Sequence, residues 1–199
     1  MDKERSFNKL RFNSTKVKKG LLIFVCLTLM VSIAHGQIYG GQKGKVRLRG
    51  EAPQEIITAE SAALAGKLDI GSKKFNFKQP LNTFSFSQGD LQKKHAEESY
   101  FEVKQYPNAT FTGEIINDVA LDKSGTYNVT VKGKFNMHGV EKEMKIPAVI
   151  TVEEGRLTIT SKFNVYLSDY NIKIPRLVSL KVSQEFTVEL SLKMSNQNI

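Results

Sequence analysis

The 199-residue chain carries a formal net charge of +9, from 29 Lys+Arg against 20 Asp+Glu, and a single cysteine. Residues 1–36 hold seven of those cations, two of the acids and the cysteine, Cys26, which leaves residues 37–199 with 22 against 18, a net +4. A modest, interspersed charge offers no basic block for nucleic acid, and a chain without thiols after residue 36 has neither a disulfide framework nor a cysteine nucleophile.

The N-terminal segment is basic and ends in KVKK, an apolar run LLIFVCLTLMVSIA follows at 21–34, and then comes AHGQ. Charged front, apolar middle and small residues at the end read as a secretory signal peptide, residues 1–36, cut before Gln37. Fourteen apolar residues fall short of the roughly 20 a membrane-spanning helix needs, so no transmembrane span is expected in the mature chain. Residues 37–199 are long enough for one domain with its own core.

After Ala34 the dominant pattern has period two, the mark of strands with one dry face. The short runs come first: Val46 and Leu48; Leu64, Leu68 and Ile70; Phe75 and Phe77; Phe111 and Ile115. In GTYNVTVKGKFNM the apolar set is Tyr127, Val129, Val131, Phe135 and Met137. KIPAVITV, RLTITSKFNVYL and EFTVELSLKM alternate in the same way. About eight long strands with short connections predict an all-β fold, an extended antiparallel up-and-down barrel of lipocalin type, with an immunoglobulin-like sandwich second.

Two segments interrupt the alternation. GDLQKKHAEESYFEVKQYPNA (89–109) predicts a short helix near one barrel mouth, capped by Asp90 and presenting Leu91, Ala96, Tyr100 and Phe101. LSDYNIKIPRLV (167–178) reads as a bend that returns Tyr170, Ile172, Ile174 and Leu177 to the core, since Pro175 cannot donate to a ladder.

Gly50, Gly66, Gly113 and Gly133 stand where inward side chains belong. Strand glycines permit bending, and they also leave room inside for a guest. The other inward positions are almost wholly aliphatic or phenylalanine, Ser161 excepted, so the expected guest is apolar.

There is no G-x-S-x-G, P-loop or dinucleotide-binding motif. Metal ligation needs several His, Cys or carboxylates at ligand spacing, whereas His95 and His138 lie 43 residues apart. An enzyme would require His95, His138 and a carboxylate such as Asp169 to converge at one mouth. His138-Gly139 falls between two alternating runs and is read as the tip of a two-residue hairpin.

Taken in order, EESYFEVKQYPNATF (97–111), GKFNMHGVEKEMKIP (133–147) and LSDYNIKIP (167–175) resemble the YceI-like family across residues 44–193. The resemblance implies a lipocalin-like barrel exported to the periplasm, with a long isoprenoid-type chain inside it, dimers in some members, and no catalytic residues or cofactors. The expected function is carriage or sequestration of a polyisoprenoid or quinone-like lipid, lined by Leu64, Leu68, Phe111, Val131, Phe135, Ile159, Phe163 and Phe186. The alternative is a filled barrel serving as a structural or partner-binding module, with no metal and no small-molecule ligand.

Overall fold

Alternating sequence becomes nine strands in the computed structural model, which describes residues 37–197. The expected signal peptide, residues 1–36, lies outside them. The strands are β1 (Ile38–Glu51), β2 (Ile56–Asp69), β3 (Lys74–Pro80), β4 (Ser85–Phe86), β5 (Asn108–Ile115), β6 (Gly125–Met137), β7 (Val140–Glu153), β8 (Arg156–Tyr166) and β9 (Glu185–Asn196). Apart from the two-residue β4, which pairs with Ala59 and Glu60 of β2, each strand is antiparallel to its neighbours in the chain. Strand β1 pairs with both β2 and β9, so eight strands close into an up-and-down barrel. Closure satisfies both edges of every long strand and removes the sticky edge an open sheet would keep.

The alternation predicts the inward face well. Val129, Val131, Ile150, Ile159, Val165, Val188 and Leu192 are buried, while Asn128, Lys134, Thr160, Lys162, Glu189 and Lys193 are exposed. In β2 the inward set shifts from Ile57, Ala59 and Ser61 to Leu64 and Leu68. The shift coincides with a bulge against β1, where Gly44 faces Leu64 but Val46 faces Ser61.

The strand glycines leave less space than expected. A side chain at Gly50 would meet the ring of Phe186 at 2.5 Å, and one at Gly66 would run into the ring of Phe77. Gly113 and Gly133 are paired across β5 and β6, and a Cβ on either would collide with the opposite backbone. These positions let aromatic rings and neighbouring strands approach closely; they do not open the lumen.

Between β3 and β5 the chain leaves the barrel. It makes a 3-10 turn (Leu81–Thr83), helix α1 (Asp90–His95) and a π-helical turn (Ala96–Tyr100). Leu81, Phe84, Ala96 and Phe101 anchor this excursion in the core, with the Phe84 and Phe101 rings 6.2 Å apart. Two expectations are corrected here. Asp90 is the first helical residue and makes no capping bond; Gly89, at φ 89°, precedes the helix. Leu91 is 68% exposed, and no residue of the six-residue helix is buried.

Residues 167–184 form the second excursion, with 3-10 turns at Leu167–Tyr170 and Arg176–Val178. Leu167, Tyr170 and Ile172 are buried and Ile174 packs against the core. Leu177 is not returned to the core: it is 96% exposed on the second turn. Met137 and Val140 pair directly, with His138 (φ 53°) and Gly139 (φ 72°) between them, a left-handed two-residue turn suited to antiparallel twist.

Candidate functional site

The two ends of the barrel are built differently. At the end formed by the start of β1 and the β5–β6 and β7–β8 connections, Tyr39, Leu121, Val152, Leu157, Leu192 and Met194 fill the interior at 0–6% exposure. None of these lines the cavity above them. Toward the other end the barrel is hollow, with a cavity of about 560 Å³. Its floor includes Leu68, Ile115, Ile150 and Ile159, and its walls are mostly aliphatic and phenylalanine side chains.

All eight sequence-selected residues, Leu64, Leu68, Phe111, Val131, Phe135, Ile159, Phe163 and Phe186, line this cavity. They come from β2, β5, β6, β8 and β9, brought together because the period of two keeps one face of each strand inward. Aromatic rings cross the lumen in a chain. Phe75 lies 5.5 Å from Phe77 and 5.1 Å from Phe111, Phe111 lies 6.2 Å from Phe135, and Phe135 meets Phe163 and Tyr170 edge-on at 6.4 and 5.5 Å. Such tilted and edge-on pairs favour a fixed arrangement over a loose one. Bulky phenylalanines narrow the lumen without closing it, so the barrel is not filled through its length.

Polar lining residues gather toward the mouth: Glu55, Gln79, Gln88, Gln92, His95 and Lys181. Only Gln79 carried a usable sequence signal, since it continues the Phe75, Phe77 alternation by one step. Its Nε2 donates to the Pro80 carbonyl at 2.8 Å and to the hydroxyls of Ser61 and Thr83 at 2.9 and 3.0 Å. Gln92 Nε2 donates to Glu55 at 3.2 Å. The remaining amide oxygens, Gln79 Oε1 and Gln92 Oε1, are buried without a partner among the described residues. Tyr100 also lines the mouth, and burial pushes its phenol above the ordinary value, keeping it a neutral hydroxyl.

His138 lies outside the lumen and clasps three mouth-end segments together. Its Nδ1 donates to the Tyr170 carbonyl at 2.9 Å, Nε2 faces Glu102 at 3.6 Å, and its ring packs on Tyr106 at 4.6 Å. Asp169 is engaged by Lys142 at 2.6 Å. His95 lines the cavity mouth, so these three groups do not meet. Among the described residues no cluster of three or more His, Cys, Asp or Glu is placed to hold a metal ion, and no helix is long and apolar enough to cross a membrane.

A family model described as the YceI-like domain matches residues 44–194. The fold is similar to a polyisoprenoid binding domain from Saccharophagus degradans implicated in plant cell wall breakdown, at TM-score 0.68 and 16% identity over 80% of this chain and 98% of that one. It is also similar to BcnA of Burkholderia cenocepacia, at TM-score 0.60 and 20% identity over 76% and 96% of the two chains. A third likeness is the YCEI protein of Campylobacter jejuni, at TM-score 0.57 and 15% identity over 70% and 84%. No curated protein sequence matches the chain.

Proposed function

Because the chain belongs to the YceI-like domain family, we propose that its barrel carries or sequesters a long apolar lipid, such as a polyisoprenoid or a quinone-like molecule. The observation that carries this reading is the 560 Å³ cavity enclosed by apolar side chains in the mouth half of the barrel. A volume of that size falls within the roughly 300–1,000 Å³ typical of small-molecule pockets. Burying hydrocarbon there gains about 25 cal/mol per Å², so affinity needs few polar contacts. The lipid chain lies among Leu64, Phe111, Val131, Phe135, Phe163 and Phe186 and ends on Leu68 and Ile159. The polar end sits at the mouth, where Gln79, Gln92 and the Tyr100 hydroxyl are found.

The polyisoprenoid-binding description of the Saccharophagus domain supports the ligand class. We read the protein as a binder and not an enzyme, since His138 and Asp169 are committed to structural contacts away from His95. The same reading includes export: residues 1–36 act as a signal peptide and the barrel works in the periplasm, which N-terminal sequencing of the protein from a periplasmic extract tests directly.

The decisive experiment is solvent extraction of the purified protein followed by mass spectrometry, together with uptake of an added isoprenoid. A bound long-chain lipid, or stoichiometric uptake, is the expected result. No recovered lipid combined with no uptake would overturn the reading.

A further inference from the structure

Four large hydrophobic side chains are strongly exposed on three adjoining rim segments at the mouth end. Leu177 is 96% exposed, Leu91 68%, Leu180 52% and Ile56 49%. The segments are tied to one another: Gln54 N–H donates to the Leu180 carbonyl at 2.9 Å, and Gln92 on α1 donates to Glu55 at 3.2 Å. Leu91, Glu55, Val178 and Val182 from these same segments line the cavity, so the exposed leucines surround its entrance.

Charge is unevenly distributed on this rim, and three cations without ion-pair partners among the described residues lie on the 171–184 stretch. Residues 171–184 contain Lys173, Arg176 and Lys181 and no acid. The helical excursion adds Lys93 and Lys94 against Asp90, Glu97 and Glu98, the β1–β2 turn adds Glu55, and Asp169 precedes the cationic stretch. Lys93 is partly engaged by Glu97 at 3.7 Å. Lys173, Arg176 and Lys181 are in no ion pair among the described residues, and all three are exposed. Apolar side chains projecting among unpaired cations match a surface with an anionic face over a hydrocarbon layer.

We propose that the mouth rim is a docking surface for an anionic lipid bilayer, with Leu177, Leu180, Leu91 and Ile56 entering the headgroup region and Lys173, Arg176 and Lys181 facing lipid phosphates. Docking there places the cavity entrance against the membrane, so a hydrocarbon chain passes between bilayer and lumen without crossing water. The surface rests on the carrier reading for its purpose, but its existence is measured separately.

The test is co-sedimentation of the purified protein with vesicles of phosphatidylcholine plus phosphatidylglycerol, against phosphatidylcholine alone. Uptake of a fluorescent long-chain alcohol is measured in parallel without vesicles. Binding to the anionic vesicles is expected, weakened by added salt, which screens the cations. Leu177→Asp with Leu180→Asp, and separately Lys173→Glu with Arg176→Glu, should each weaken vesicle binding about tenfold or more. Probe uptake should be unchanged in both, since none of the four side chains lines the lumen. Vesicle binding by a protein that takes up no probe would uphold the surface and overturn the carrier reading. Uptake without vesicle binding, equal binding to neutral vesicles, or a dimer that depends on Leu177 would each overturn the docking surface.

Discussion

One strand passes through both halves of this barrel and shows what separates them. On β9, Leu190 and Leu192 are the same residue type on the same face, two positions apart. Leu192 is fully buried in the packed base, whereas Leu190 borders the lumen and is only partly covered. On β8 the same two-position step separates Leu157, at 0% exposure and outside the cavity, from Ile159, which lines it. The base closes because Leu121 from the β5–β6 connection and Tyr39 at the start of β1 reach into it. Connections at the mouth instead fold outward into α1 and the 167–184 segment. Stability is thus concentrated in one half and capacity in the other.

Leu192→Ala is the largest expected break in this division. It should lower unfolding free energy by about 2–5 kcal/mol in urea, because close-packed neighbours cannot collapse onto the void. Leu190→Ala should cost less than half as much, since that side chain already adjoins empty volume, and it should increase uptake of a bulky lipid probe. Equal losses at the two sites would refute the division into packed and hollow halves.

The next effect concerns how the mouth is held. His138→Ala removes the bond to Tyr170, the ring contact with Tyr106 and the approach to Glu102, and should cost about 1–2 kcal/mol in the same assay. Lipid uptake should be retained, because His138 does not line the cavity. A variant that lost uptake while keeping its stability would show that the clasp shapes the entrance itself.

The smallest effect is a pH window. Burial, with Asp169 nearby, pushes the Tyr170 phenol up to about 12. Its folded value lies above its unfolded one, so its stabilising contribution is complete below about pH 10 and is lost as pH rises toward 12. Tyr170→Phe should flatten the alkaline decline of stability in that window. An unchanged profile would place the decline on other groups.

How much was readable in advance varied with the range of the interactions. Strand faces were legible because period-two alternation is local, and so was the His138-Gly139 turn, where the residue between two runs needs positive φ. Leu177 was misassigned because an apolar residue near Pro175 looks the same in sequence whether it points in or out. The glycines were misread in part: that Phe186 covers Gly50 and Phe77 covers Gly66 depends on strand register, which single strands do not encode. The mouth polar residues, Gln88 and Gln92 among them, sit in irregular segments with no period to follow.

Sequence alone determined the number of long strands, which side chains face inward, and the greasy character of the interior, because each follows from short-range backbone geometry and the cost of wetting hydrocarbon. Tertiary structure decided which half of that interior is filled and which is hollow. That outcome depends on where the connections fold once the barrel has closed, and on volumes contributed by residues more than a hundred positions apart, such as Tyr39 and Leu192.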